Sequence, residues 1–203
     1  MFHRSTQKFG LVSENKIWRN GVDYPMHPDL KIGNKFPNFE LFDHTGKLQK
    51  LSNLLEGYPA LLTFNRGYYC PKDRRQLTNY VAHLQPEMRI NYCKLITVSV
   101  DDEININEMR DALNAGWPFL MDTNRELLYQ LQMVDTTDPL HGEIYIPYSF
   151  ALDQDLSIYK IYNGWYYVGR PTVEDVRSDW RALMSRRSNY IYDPSRAPAP
   201  KGT

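Results

Sequence analysis

A chain of 203 residues is long enough for one domain with its own core. Its 24 basic and 24 acidic residues cancel, which removes the electrostatic ground for a nucleic-acid or anionic-membrane partner. No apolar run approaches the length of a membrane span, and Met1–Thr6 lacks the apolar stretch of a signal peptide, so the expectation is a soluble, cytoplasmic protein.

Residues 1–30 are irregular and punctuated by Gly21, Pro25 and Pro28. They read as an N-terminal extension that wraps the domain or a partner subunit. Phe36–Phe42 alternates apolar and polar residues, Asp43-His44-Thr45-Gly46 is a turn, and Lys47–Leu51 alternates again, which predicts a hairpin. Ser52 can cap a short helical turn ended by Gly57. The run Ala60–Phe64 predicts a buried strand. Beyond Pro71, Leu77, Val81 and Leu84 fall at i, i+4 and i+7 and predict a helix to about Leu84. Leu95–Val100 predicts a buried parallel strand. Met109 and Leu113 belong to a helix stopped at Gly116, Trp117–Met121 reads as a short strand, and Asp122 or Thr123 caps a helix containing Leu127, Leu128 and Leu131. Tyr148–Asp153 and Ile158–Tyr162 read as strands joined at Gln154-Asp155. Thr172 and Asp175 match a capping box for a last helix whose apolar face is Val173, Val176, Trp180, Leu183 and Met184. Residues 188–203 form a Pro-rich tail, extended or disordered. Strands alternating with helices define an α/β protein over residues 31–187, with a mixed, largely parallel central sheet flanked by helices.

Chemistry concentrates at Thr63–Leu77. A buried strand ends, Gly67 lets the chain turn, and Cys70 stands directly before Pro71 and a helix-favouring segment. Proline suits the first turn of a helix, so Cys70 belongs at a helix N-terminus. Free N–H groups and the positive end of the helix dipole favour an anion there, and a thiolate is the nucleophilic form of cysteine. Two cysteines are too few for a disulfide framework or a structural zinc site. The five histidines show no metal-ligand spacing, so no metal or other cofactor is expected.

The segment Ile32-Gly33 through Phe39-x-Leu41, followed by Gly46, resembles the opening of the thioredoxin-fold peroxiredoxins, the AhpC/TSA (redoxin) family. The likeness continues through Leu61–Pro71, Thr97–Asp101, Phe119–Asp122 and Phe150–Asp153, and spans residues 30–187. It implies a thioredoxin-like fold in which Cys70 is the peroxidatic cysteine. The family's Pro-x-x-x-Thr-x-x-Cys carries Thr63 and Gly67 here at the Pro and Thr positions, and no arginine stands at Ile146–Ser149 before the late strand. The form Arg-Gly-aromatic-aromatic-Cys-Pro is similar to a divergent redoxin subgroup. Gly169-Arg170 is similar to the family's Gly-Arg before its last helix, which makes Arg170 a further site candidate.

Arg66 and Arg74 are the candidate activators of Cys70, able to stabilise a thiolate and hold a peroxide oxygen. Gly67, Tyr68 and Tyr69 shape the pocket beside it. Asp73 reads as a surface carboxylate paired with Arg75 or Lys72, since charged side chains are mostly exposed, the alternative being a proton shuttle. Cys93 reads as an inert cysteine, which leaves a one-cysteine enzyme; the alternative is a resolving cysteine. The aromatic stretch Ile161–Thr172 walls the site or a dimer surface. The expected function is reduction of hydrogen peroxide or organic hydroperoxides through a Cys70 sulfenic acid. The expected partners are an external thiol (thioredoxin, glutaredoxin or a low-molecular-weight thiol) and a second copy in a homodimer. The alternatives are a different thiol chemistry, biosynthetic in kind, and a non-catalytic redox sensor or binding protein.

Overall fold

The computed structural model describes residues 25–91, 93–165 and 169–186. The expected tail at 188–203 and most of the N-terminal extension lie outside them, as do residues 166–168 of the aromatic stretch. Within the extension, Leu30 is buried, Met26 packs on the core, and the His27 N–H donates to the Leu131 carbonyl (2.8 Å).

The described residues form nine strands and six helices: β1 (Glu40–Asp43), β2 (Leu48–Lys50), α1 (Leu51–Leu55), β3 (Ala60–Phe64), α2 (Pro71–His83), α3 (Gln85–Asn91), β4 (Lys94–Ser99), α4 (Glu103–Leu113), β5 (Phe119–Met121), α5 (Glu126–Gln130), β6 (Val134–Asp135), β7 (Ile144–Tyr145), β8 (Tyr148–Leu152), β9 (Ile158–Asn163) and α6 (Val173–Met184). Seven strands form one sheet in the order β2-β1-β5-β4-β3-β8-β9. Only β3, β4 and β5 run parallel to one another, while β1, β8 and β9 pair antiparallel. The sheet is mixed, as expected, but not largely parallel: hairpins join β1 to β2 and β8 to β9, and the long connections that bring β1 beside β5 and β8 beside β3 also leave those pairs antiparallel.

Alternate residues of the central strands point to opposite faces. Ala60, Leu62, Phe64, Ile96, Val98 and Leu120 face one core, closed by α1 and α5. Leu61, Leu95 and Phe119 face the other, closed by α2, α4 and α6 through Leu77, Tyr80, Ile106, Met109, Val176 and Trp180. The strands are buried on both faces, so β3 and β4 are written as near-continuous apolar runs. On the second face a polar thread runs through the packing: the Trp117 indole donates to Thr97 Oγ1 (2.9 Å), which lies 3.1 Å from Thr63 Oγ1.

Helix termini follow local chemistry. The capping box forms as the sequence predicts, with Thr172 Oγ1 accepting from the Asp175 N–H (3.1 Å) and Asp175 accepting from the Thr172 N–H (2.9 Å). α4 stops at Asn114 in the left-handed region, two residues before Gly116. Asp122 serves α5 from a distance: its carboxylate accepts from the Leu127 (3.2 Å) and Leu128 (2.9 Å) N–H groups, while Arg125 takes the N-cap position. The first hairpin strand starts at Glu40, not at Phe36. Phe36 instead leaves the strand line to meet the Phe150 ring edge-on, at 4.8 Å between ring centroids. α3 and the small β6–β7 pair have no counterpart in the sequence reading.

Candidate active site

The parallel strands deliver their C-terminal ends to one edge, and the cysteine turn sits there. β3 ends at Phe64, and the Asn65 N–H still donates to the Val98 carbonyl (2.8 Å). Gly67 then adopts φ 145°, a value that disfavours any side chain. A Cβ there would stand 2.8 Å from a Tyr69 ring carbon and 2.9 Å from Asp101 Oδ1, so glycine is required by space as well as by torsion. Cys70 is the N-cap of α2 with Pro71 at the first helical position, as the sequence predicts.

Two carboxylates hold the turn. Asp73 accepts from the Arg66 (2.7 Å) and Gly67 (3.3 Å) N–H groups through Oδ2. Asp101 accepts from the Tyr68 N–H (2.9 Å) and the Ser99 hydroxyl (2.8 Å). Three successive backbone donors are thus taken by buried carboxylates from α2 and from the end of β4. The expectation of a surface Asp73 is overturned: it is fully buried and pairs through Oδ1 with Arg170 Nη1, not with Lys72 or Arg75. Two buried charges and two backbone donors compensate one another there, which satisfies the condition for burying a carboxylate.

Arg170 reaches this point because Gly164 leaves room. A Cβ on Gly164 would collide with the Arg170 side chain and the Pro147 carbonyl. Arg170 Nη1 also donates to Gln76 Oε1 (2.8 Å), and Gln76 donates to the Tyr80 hydroxyl (2.8 Å). The remaining donors of the guanidinium, Nε and Nη2, are buried and make no hydrogen bond among the described residues. The Asn65 amide, also buried, has neither atom hydrogen-bonded. Unsatisfied buried donors are uncommon and call for a partner.

The sequence predicts a thiol lowered by the helix terminus and arginine; the structure sets two larger effects against it. Burial pushes the Cys70 thiol up and the Asp73 charge adds to this. The Asp73 and Lys72 N–H groups and Arg170 pull the other way without reversing it. Burial also lifts the Asp101 carboxyl, to about 6, against the hydrogen bonds from Ser99 and Tyr68.

The two predicted activators make their hydrogen bonds elsewhere, although Arg66 still interacts with Cys70 through its charge. Arg66 sends Nη1 to Asp135 and Nη2 to Asp138 (3.2 Å), and Arg74 donates through Nε to the Tyr68 carbonyl (2.8 Å). Each therefore braces the turn through its neighbours and makes no hydrogen bond to the thiol. Asp135 and Asp138 belong to an arm between β6 and β7 that lies on the cysteine turn. The Tyr69 hydroxyl donates to Asp138 (3.3 Å), and the His141 ring stacks on Tyr69.

Cys93 is buried in the apolar cluster on the second face, just before β4. β3 and β4 are in parallel register from Ala60↔Lys94 to Phe64↔Val98, so Cys93 and Cys70 lie at opposite ends of the strands, on the order of 15 Å apart. That is beyond the Cα separation of about 7 Å that a disulfide spans. Among the described residues no three His, Cys, Asp or Glu side chains cluster to hold a metal. No described helix is long and apolar enough to cross a membrane.

The fold and the cysteine at the start of α2 define a thioredoxin-like α/β protein with helices on both faces of a mixed sheet. Residues 32–161 match the AhpC/TSA family, and the chain belongs to it. Among curated proteins it is 27% identical over 161 residues to the mitochondrial peroxiredoxin PRX1 of Saccharomyces cerevisiae. That match covers 74% of this chain and 61% of the yeast protein, so the chain spans about three fifths of that relative's length. Solved structures that share the fold include three peroxiredoxins. Peroxiredoxin 6 of Arenicola marina has a TM-score of 0.68 at 21% identity, over 77% of this chain and 74% of that one. Peroxidoxin BcpB of Mycobacterium tuberculosis has 0.64 at 19% identity, over 78% and 99%. The structure of a yeast mitochondrial 1-Cys peroxiredoxin, described as resolved via glutathione/thioredoxin systems, has 0.62 at 22% identity, over 80% and 84%.

Proposed function

We propose that the chain is a one-cysteine thiol peroxidase acting on hydrogen peroxide or an organic hydroperoxide. The observation that carries this is the pairing of Cys70 at the N-terminus of α2 with a buried Arg170 that keeps two donors free. The Cys70 thiolate attacks the terminal oxygen of R–O–O–H. The O–O bond breaks as the S–O bond forms, giving Cys70–S–OH and RO⁻, which takes a proton from solvent and leaves as ROH. The Lys72 and Asp73 N–H groups face the sulfur anion, and Arg170 Nε and Nη2 offer donors for the developing charge on oxygen. An external thiol then forms a mixed disulfide with release of water, and a second thiol restores Cys70. The position of Cys93 at the far end of β3 and β4 favours an external reductant over an internal one.

The test is the rate of Cys70 oxidation by hydrogen peroxide near neutral pH, with mass spectrometry at Cys70 and a Cys70→Ser control. Oxidation far faster than that of a free thiol, with many turnovers once a reducing thiol is added, supports the proposal. A rate like a free thiol's rejects it. A second reading, a sensor oxidised once per chain, draws on the raised Cys70 thiol. Repeated turnover excludes it.

A further inference from the structure

The arm between β6 and β7 has no part in the chemistry above, yet it fixes Tyr69 against the cysteine turn. The Tyr69 hydroxyl donates to Asp138 Oδ2 (3.3 Å). Its ring stacks on His141 with centroids 3.3 Å apart and planes 4° apart, and meets the Tyr68 ring edge-on at 6.1 Å. Asp138 is itself tied down, by Arg66 Nη2 (3.2 Å) and by the Leu140 (3.0 Å) and His141 (3.2 Å) N–H groups. The ring presses on Gly67, where no Cβ fits. Beside this frame Cys70 is 5% exposed, and its charge is felt at the Tyr69 hydroxyl.

Resting on the peroxidase reading, we propose that the arm, acting through Tyr69, restricts the substrate to small hydroperoxides such as hydrogen peroxide and excludes bulky aryl and lipid hydroperoxides. Two oxygen atoms need only a narrow gap beside the sulfur. A bulky group on the leaving oxygen requires Tyr69 to swing out. That motion breaks its hydrogen bond to Asp138 and its stack on His141 together, so the wall yields as a unit or not at all. Tyr69 is then a specificity-determining residue, and Asp138 and His141 position it.

Cys70 oxidation by hydrogen peroxide and by cumene hydroperoxide is compared in the unchanged chain, His141→Ala and Asp138→Asn. The unchanged chain is expected to prefer hydrogen peroxide by on the order of a hundredfold, and each variant to narrow that ratio by about tenfold, through a gain on the bulky peroxide. The same ratio in all three chains, or an unchanged chain that takes both peroxides equally, overturns the proposal. Alkylation of Cys70 by iodoacetamide and by fluorescein maleimide, quantified by mass spectrometry of the Cys70 peptide, repeats the size comparison without peroxide. A chain inert to both peroxides would therefore reject the peroxidase reading while this second ratio still decides the arm. A gain confined to the maleimide in the variants supports size selection; an equal gain for both reagents, or none, rejects it.

Discussion

The two cysteines are both buried, Cys70 at 5% exposure and Cys93 at 2%, and they flank opposite ends of the same pair of parallel strands. Burial does not tell them apart; the end of the sheet does. At the Cys93 end the chain enters a strand from an apolar cluster. At the Cys70 end it leaves a strand and starts a helix, so free N–H groups, the Asp73 carboxylate and an arginine converge on the thiol. In parallel strands the direction of the backbone decides which end gathers such donors.

The sharpest way to break this contrast is to replace each cysteine by serine. Cys70→Ser is expected to reduce peroxide turnover to background, whereas Cys93→Ser keeps the rate within about twofold. Steady-state peroxide consumption with a reducing thiol checks both.

The next largest effect lies in the counter-charge at Cys70. Arg170→Met removes the two free donors and leaves Asp73 buried with its backbone partners alone. We expect kcat/KM to fall by about 10²–10³-fold and stability to fall by about 3 kcal/mol, read from urea unfolding.

The acid–base behaviour sharpens the contrast further. The Cys70 thiol is raised above its ordinary value, so its oxidation rate should climb with pH through and beyond neutrality as the thiolate forms. Asp73 contributes to that rise by its negative charge. Asp73→Asn removes the charge and unpairs Arg170, and both changes favour the thiolate. The profile should shift to lower pH even as the turn loosens, as a pH series of Cys70 alkylation rates will show.

The smallest expected effect lies away from both cysteines. At the β1–β2 turn, burial alone would raise the Asp43 carboxyl, but hydrogen bonds from Thr45, Gln49 and Lys47 hold it at about 2. A folded value below the unfolded one stabilises the chain above about pH 4, and the contribution fades as pH falls through 2. Asp43→Asn should therefore cost about 1 kcal/mol at neutral pH, the shift being discounted for solvent screening, and progressively less in acid. It should do so without changing Cys70 oxidation, by thermal melts at a series of pH values.

What the sequence made legible was local. Cys70-Pro71 after an apolar run and a glycine marks a strand, a turn and a helix start within a dozen residues, and Thr172 and Asp175 cap the last helix across one turn. The partners of the charged groups were not legible, because they come from distant chain segments. Asp73 has Lys72 and Arg75 beside it in sequence, yet its partner is 97 residues away. Arg66 precedes the cysteine turn, yet its charge is spent on Asp135 and Asp138, in an arm whose two strands are too short to show a period. The one available hint for Asp101 was its place at the end of a strand of the Leu95–Val100 kind, on the edge where the turn emerges.

Asp73 grips the backbone of the turn with one oxygen and the arginine with the other. Nucleophile and counter-charge therefore cannot be transplanted separately. Grafting residues 63–77 onto another α/β scaffold would carry the cysteine and leave an orphan carboxylate under it. The smallest portable unit is discontinuous, since it must also include Gly164 and Arg170, and a designer would have to copy the spacing between two remote segments rather than a motif.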